Sequence, residues 1–432
     1  MNTSSPPAVP STIPAAELRE LLIGLGADDA GVVSIDRAEL DDQREDILRA
    51  LPRTRTLISF VVKMNREPIR SQARSLANSE FHQSTDECNH IARRAVEALE
   101  LRGVRALAPP TGFPMEMQDF PGKVWVVSHK PVAVAAGLGR MGIHRNVIHP
   151  RFGNFVLLGT ILLDREVDEQ GRALDGSPCV SCKLCVAACP VGAISPEGRF
   201  DFSACYHHNY REFMGGFTDW VESIAASRSA RAYRETVSDS DTASMWQSLS
   251  FGANYKAAYC MAVCPAGEDV ISPFTADRRG FLEDVLRPLQ ARVEDLYVVP
   301  GTDAEQRARK RFPHKRLVPV GNGLRPSTVD GFLRGLPIVF QPDAAGDLDA
   351  VYHFEFRGAS RRRATITVRE GEIEVLEGLH GRADLHVWAD ATTWTEFLRG
   401  NRSLIWALVT RRIRLRGDPR LLARFGKCFP GS

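Results

Sequence analysis

Between residues 179 and 190 the chain reads Cys-Val-Ser-Cys-Lys-Leu-Cys-Val-Ala-Ala-Cys-Pro. Four thiols at the spacing C-x₂-C-x₂-C-x₃-C-P are set to ligate a cubane iron–sulfur cluster as thiolates. Cys179, Cys182 and Cys185 share a tight loop and can meet three corners of one cube. Cys189, a helical turn further on, points away and suits a second cluster, and Pro190 stops the chain from folding back. Inert core thiols would not need this register.

A second cysteine group follows. Cys205 stands after Phe200-Asp-Phe-Ser-Ala, and Ala257-Ala-Tyr-Cys-Met-Ala-Val-Cys-Pro is an incomplete partner run. A full partner would be C-x₂-C-x₃-C-P. Cys260, Cys264 and Pro265 are present, but Ala257 stands where its first cysteine belongs. Crossed ligation, usual where two clusters are bound, assigns Cys179, Cys182, Cys185 and Cys264 to the first. Cys189, Cys205 and Cys260 are left for the second, with one iron lacking a motif cysteine. Three outcomes stay open: a [3Fe-4S] cluster, a [4Fe-4S] cluster with a non-cysteine ligand or an open iron, or no second cluster. His207 and His208, directly after Cys205, are the imidazole candidates; a surface or core role is the alternative for each.

Of nine cysteines, Cys88 and Cys428 stand alone and read as core thiols. A metal framework without a disulfide pattern fits a reducing compartment, so a cytoplasmic protein is expected. At 432 residues, 44% hydrophobic and 25% charged, the chain has length for two or three globular domains. A formal charge of +2 gives no global argument for nucleic acid, which is expected not to be a partner. Residues 1–14 are rich in Ser and Pro and read as a disordered tail without an export signal. No uncharged run approaches the about 18 residues of a membrane span.

The elements that must hold these cysteines follow from periodicity. Leu18, Leu21, Leu22 and Leu25 mark a helix, residues 31–35 and 57–63 are strands, and residues 40–51 and 74–102 are amphipathic helices. Residues 104–108 and 124–128 are further strand candidates. Helices alternating with apolar strands predict an α/β sandwich over residues 15–175. Gly137, Gly139 and Gly142 form a G-x-G-x-x-G with Asp164 further on, a dinucleotide fingerprint on spacing alone. Pro131 and an alanine-rich helical piece precede it, where a Rossmann site needs a strand. A glycine loop that lets the backbone approach another large cofactor is the preferred reading, with tight turns as the alternative.

Lys130-Pro131, Ala136-Gly-Leu-Gly-Arg-Met-Gly, Ile148-His-Pro-Arg-Phe-Gly and Leu158-Gly-Thr-Ile-Leu-Leu-Asp, followed by the cysteine run, resemble the cobalamin-dependent reductase superfamily. Reductive dehalogenases and epoxyqueuosine reductases belong to that group, and the similarity covers residues 17–275. It implies a nitroreductase-like α/β domain holding a corrinoid, cobalamin, fed by two cubane clusters. It also implies, for epoxyqueuosine reductases, a catalytic aspartate just before the glycine stretch. Here that stretch reads Ser128-His129-Lys130-Pro131, without an aspartate. His129, His144 and Tyr210 are candidate proton donors, each with packing as the alternative, and the catalytic residues are not assigned.

Residues 176–275 are expected to form a ferredoxin-type domain, with residues 219–247 as polar helices and a loop over it. Residues 276–324 read as a helical, basic linker, helical to about 298 and carrying the run from Arg307 to Arg316. From residue 325 to 432 alternating strands at 350–357, 363–369, 372–376, 383–390 and 413–418 mix with short helices. The Trp388-Ala-Asp-Ala-Thr-Thr-Trp stretch and Arg414-Leu-Arg-Gly-Asp-Pro-Arg-Leu-Leu resemble the sterol-carrier-protein-2 family. That resemblance implies an α+β domain with an apolar tunnel for a lipid or other hydrophobic small molecule. Trp394, Phe397, Leu398, Leu404, Ile405, Trp406 and Leu408 could line it or be plain core.

The leading expectation is an iron–sulfur oxidoreductase. It takes electrons from a donor such as ferredoxin or flavodoxin and passes them through the clusters to a corrinoid, to reduce a small, hydrophobic substrate. The alternatives are a non-catalytic electron-transfer or redox-sensing lipid-binding protein, and an epoxyqueuosine reductase-like tRNA-modifying enzyme.

Overall fold

A computed structural model of the protein describes residues 12–118, 120 and 122–430. The expected tail falls largely on residues outside this set. Within it, Thr12–Ile13 runs parallel to Glu166–Val167 as a two-stranded ribbon.

The N-terminal core is an antiparallel sheet whose strands lie in the order Asp29–Ser34, Thr56–Lys63, Val156–Leu163, Ala106–Leu107. Thr56–Lys63 is apolar almost throughout because it is a central strand, covered on both faces. Ile58 lies opposite Val32 on one side and Ile161 on the other. Ala30, Ile58, Phe60 and Ile161 pack under the helices Ala15–Gly24 and Arg74–Glu100. Val33, Leu57, Val61 and Leu162 pack under the helix His129–Ala135. Each such fully buried aliphatic side chain contributes roughly 1.5–3 kcal/mol. Gly159 is required within its strand: a Cβ there would stand 2.1 Å from Cζ of Phe60, whose ring covers the position. The expected strand at 124–128 does not form. Val124 accepts one bond from the amide of Glu116, and this segment joins none of the sheets. Apolar residues there serve the core instead, Val124 and Val127 being buried.

The cysteine-bearing region consists of short helices: Leu184–Ala188, Phe202–Asn209 and Tyr259–Ala262. Between the last two lie the helices Gly215–Ala226, Ala230–Thr236 and Asp239–Phe251. Ser229 and Ser238 cap the second and third, accepting from the amides of Ala232 and Asp241.

The helical reading of residues 274–298 needs correction at its end. Helical turns run from Ser272 to Ala291, with a π-helical turn at Leu282–Leu286. Asp295–Val298 is then a strand, parallel to Arg316–Pro319. This pairing is non-local and leaves no local periodicity. The basic run is laced with ion pairs, of which only that of Lys315 is buried. Arg307 pairs with Asp343 at 2.6 Å, Arg309 with Glu305 at 3.0 Å, and buried Lys315 with Glu294 at 2.6 Å.

The C-terminal sheet has the order Glu372–Glu377, Arg362–Arg369, Ala350–Arg357, Leu385–Asp390, Ile413–Gly417. Its central strand runs parallel to Leu385–Asp390, and the other neighbours are antiparallel. Tyr352, Phe354 and Phe356 of that strand meet Trp394, Phe425 and Phe332 from the surrounding helices. Among the described residues no helix is long and apolar enough to cross a membrane.

Candidate metal centre and adjoining recess

Two similar turns present the cysteines. Lys183, left-handed at φ 55° and ψ 18°, opens the helix Leu184–Ala188, which carries Cys185 and ends at Cys189. Ala258, at φ 54° and ψ 24°, opens Tyr259–Ala262, which carries Cys260 and leads to Cys264. The two helices pack against each other. The helix Phe202–Asn209 brings in Cys205, its start fixed by Asp201 accepting from the amide of Ala204 at 2.9 Å.

The thiols form two overlapping electrostatic neighbourhoods, and Cys260 belongs to both, acting on Cys185 and Cys264 as well as on Cys205. Cys264 interacts with Cys182 and Cys179, and Cys185 with Cys260, Cys264 and Cys182. Cys205 interacts with Cys260 and Cys189. Burial, and then the neighbouring thiolates, push Cys205 well above the usual thiol range. Cys260 and Cys264 are raised to about 12, again chiefly by burial. So dense a set of buried thiols ionises only against a cationic partner, which is what iron supplies. Among the described residues no three His, Cys, Asp or Glu side chains converge as for a single metal ion. A cubane holds its ligands further apart than one ion does, so the absence of a single-ion site does not count against a cluster. The amide of Ala193 donates to Cys189 Sγ at 3.2 Å. Cys88 and Cys428 are buried away from both groups, Cys88 Sγ accepting from Thr111 Oγ1 at 3.2 Å.

Lys130 stands beside the second group. Its side chain is reached by solvent, yet the surrounding protein desolvates the ammonium and lowers its pKa, while Cys260 and Cys205 oppose that shift. The side chain thus meets solvent while its ammonium is held among protein groups. Nζ donates to the carbonyl of Arg145 at 2.7 Å and to Asn146 Oδ1 at 3.1 Å. Asn146 Nδ2 in turn lies 4.0 Å from Cys260 Sγ. Half-buried Tyr210 neighbours the same thiols. Its phenol is held well above its ordinary pKa by burial first, then by Cys205. It packs on Phe213 with ring centroids 4.9 Å apart and on Tyr255 at 5.7 Å. Aromatic rings, a cation and thiols thus neighbour one another here, a combination whose chemistry suits a large redox cofactor with apolar faces and polar edges. The sequence marked Lys130 only as the start of the Lys130-Pro131 motif, and not as a neighbour of Cys205 and Cys260, because that proximity is tertiary.

The remaining candidates are occupied by the fold. His129 Nε2–H donates to the carbonyl of Pro110 at 3.1 Å while Nδ1 accepts from Thr160 Oγ1 at 2.9 Å. His144 Nδ1 accepts from the amide of Asn146 at 3.1 Å, and burial, reinforced by Lys130, lowers its pKa to about 4. His207 Nδ1–H donates to the carbonyl of Ser203 at 2.7 Å and Nε2 accepts from the amide of Gly323. His208 is stacked on Tyr297, and the charges around it are Glu294, Lys256, Lys315 and Arg292. His207 is thus committed within the fold, whereas His208 Nδ1 accepts from the amide of Tyr297 at 3.4 Å and its buried Nε2 has no hydrogen-bond partner among the described residues. Gly137 and Gly139 are packed on this chain's own backbone: a Cβ would stand 2.6 Å from the carbonyl oxygens of Arg172 and Ile148 respectively. At Gly142 it would meet Ile148 and His144. Internal contacts thus account for the three glycines, and any cofactor they serve would meet the loop from its other side.

A cavity of about 260 Å³ opens in the C-terminal region, lined among others by Leu324, Phe332, Leu336, Trp394, Phe397 and Leu404. Asn322 is a polar group at its wall. Leu398 also lines it, whereas Ile405 and Trp406 are exposed, at 74% and 42%, and Leu408 packs on the core.

Two family models match the chain. Residues 174–195 match the 4Fe-4S binding domain, and residues 341–430 match the SCP-2 sterol transfer family. The chain is also similar to epoxyqueuosine reductases. It is 30% identical to that of Gloeobacter violaceus over 177 residues, 39% of this chain and 50% of the relative. It is 30% identical to that of Leadbetterella byssophila over 118 residues, 24% of this chain and 38% of the relative. The match thus spans half or less of the length of these relatives. Among solved structures, a reductive dehalogenase described in terms of B12-dependent dehalogenation aligns with a TM-score of 0.39 and 15% identity, covering 66% of this chain and 36% of its own.

Proposed function

We propose that the protein is an iron–sulfur oxidoreductase that carries electrons through its clusters to a corrinoid beside Lys130, where a small, apolar substrate is reduced. The observation that carries this reading is the adjacency of Lys130 and Tyr210 to Cys205 and Cys260. Asn146 links Lys130 to Cys260, accepting from Lys130 Nζ through Oδ1 at 3.1 Å while its Nδ2 lies 4.0 Å from Cys260 Sγ. A corrinoid bound there would supply a low-potential metal able to break strong carbon–heteroatom bonds. Lys130 would offer a cation to its polar edge, and the Tyr210, Phe213 and Tyr255 rings would cover an apolar face. Tyr210, kept protonated, is the group at hand to donate a proton to the substrate.

The C-terminal cavity supports an apolar ligand, either the substrate or a lipid that regulates access. Similarity to epoxyqueuosine reductases favours a second reading, reduction of a modified nucleoside in tRNA. Of the basic run, Lys315 is buried against Glu294, while Arg309 and Arg316 pair with Glu305 and Asp295 at the surface, where a phosphate backbone could still compete for them. The test is anaerobic reconstitution with iron and sulfide, followed by titration with cob(II)alamin. A shifted visible and EPR spectrum of the corrinoid supports the proposal, and an unchanged spectrum defeats its corrinoid part. Restoration of queuosine in a strain lacking its own reductase would favour the tRNA reading instead.

A further inference from the structure

The backbone of the first cysteine turn is repeated at the second, but one thiol is not. Cys182 precedes left-handed Lys183, and Ala257 precedes left-handed Ala258, with φ and ψ agreeing within a few degrees: 55° and 18° against 54° and 24°. Such a conformation is costly for a residue with a Cβ. At Ala258 it is held by Asn209, whose Oδ1 accepts from the amides of both Ala257 and Ala258 at 3.0 Å. The turn that would present a fourth cysteine to the second group is therefore intact, and only the sulfur is missing.

Asn209, His207 and Lys130 are committed within the fold and do not replace that sulfur. Asn209 Oδ1 is committed to two amides. Both nitrogens of His207 are bonded within the fold, and the charges around His208 are Glu294, Lys256, Lys315 and Arg292. Lys130 Nζ donates to Arg145 and Asn146. Ala257 itself is 5% exposed and packs among Phe81, Leu184 and Tyr259, so the corner is small and sheltered.

Resting on the two-cluster reading above, we infer that the cluster held by Cys189, Cys205 and Cys260 carries one exchangeable iron at the Ala257 corner, which the protein does not ligate. Without a thiolate, that iron keeps only sulfide bonds and a small exogenous ligand such as water. Loss of one electron to a one-electron oxidant converts [4Fe-4S]²⁺ to [3Fe-4S]⁺ and frees Fe²⁺. Returning the electron together with Fe²⁺ reverses the step. The corner is thus a binding site for a thiophilic divalent cation, selected by the oxidation state of the cluster. The first group, with Cys264 completing its set of cysteines, has no such corner.

The test uses the full-length, anaerobically reconstituted protein and ferricyanide as oxidant, with iron analysis and EPR as readouts. The expected result is release of one iron per chain with the appearance of a three-iron EPR signal, both reversed by dithionite and ferrous iron. Ala257→Cys should retain that iron and lose the signal. Should the variant not fold, the wild-type oxidation and refilling decide alone. Two clusters that keep all their iron under oxidation overturn the inference and leave the two-cluster reading standing. Iron for only one cluster in the reconstituted protein overturns both.

Discussion

His207 Nε2 accepts a hydrogen bond from the amide of Gly323 at 3.0 Å. His207 lies two residues from Cys205, and Gly323 sits between Asn322 and Leu324, both in the wall of the C-terminal cavity. One buried imidazole thus fastens the segment leading into the C-terminal sheet to the helix that carries a cluster-type cysteine. Replacing it by alanine strips Ser203 and Gly323 of their partners and leaves a void. His207→Ala is expected to cost about 2–4 kcal/mol. A chemical denaturation series would measure the loss. A fatty-acid fluorescent probe of the cavity should bind the variant more weakly, since the Asn322–Leu324 wall is released.

Acid should loosen the same region. Burial lowers the pKa of His144, His207 and His208 from 6.5 to about 4. The unfolded chain therefore takes up protons on these residues below pH 6.5 while the folded chain does not. Stability they contribute is present above pH 6.5 and is lost as pH falls toward 4, by up to about 3 kcal/mol for each. Circular dichroism melts between pH 7 and pH 4 should show a falling midpoint. His208→Gln should flatten the slope.

Lys130 sets a cation beside Cys205 and Cys260. A reduced cluster is more negative than an oxidised one, so the cation favours reduction. Lys130→Gln is expected to lower the midpoint potential of the second cluster by several tens of millivolts, roughly 1 kcal/mol of lost attraction, and to leave the first unchanged. EPR-monitored redox titration resolves the two. Equal shifts in both clusters would count against the assigned adjacency.

Gly335 lines the C-terminal cavity, and a Cβ there meets no atom within 4 Å. It lies in the helix Val329–Val339, where glycine is the poorer helix former by about 1 kcal/mol. Gly335→Leu should therefore fill the cavity without lowering the melting temperature. Binding of the fatty-acid probe should fall at least tenfold. Unchanged binding would move the ligand elsewhere.

The C-terminal sheet was legible in the sequence because Leu385–Asp390 and much of Glu372–Glu377 alternate between the two faces, although the central Ala350–Arg357 is buried on both. The long helix Arg74–Glu100 was equally plain from its period, buried at Ala77, Phe81, Ser84, Cys88, Ile91, Ala95 and Leu99. Cysteine spacing made the metal centre legible for a similar reason, since a rigid inorganic ligand dictates register. Pairings between distant segments were hidden. Asp295–Val298 with Arg316–Pro319 is one, and Thr12–Ile13 with Glu166–Val167 is another. Apolar Val124 and Val127 suggested a strand because burial, not pairing, selected them. The same limit hid the neighbours of Lys130, whose importance comes from what the fold brings beside it.

The helices Gly215–Ala226, Ala230–Thr236 and Asp239–Phe251 lie between Cys205 and Cys260 and bury few side chains, Met245 and Ser248 among them. With both thiolates on one inorganic core, this stretch becomes a closed ring tied at its base. The entropy of closing a ring grows only with the logarithm of its length, about 0.6 kcal/mol for each doubling. The ring can therefore lengthen or shorten at little cost in closure entropy, provided that the bonds Asp241 accepts from Tyr297 and Asp219 accepts from the amide of Gly321 are kept. In polymer terms, this is the part of the chain freest to be rewritten for a new substrate or partner.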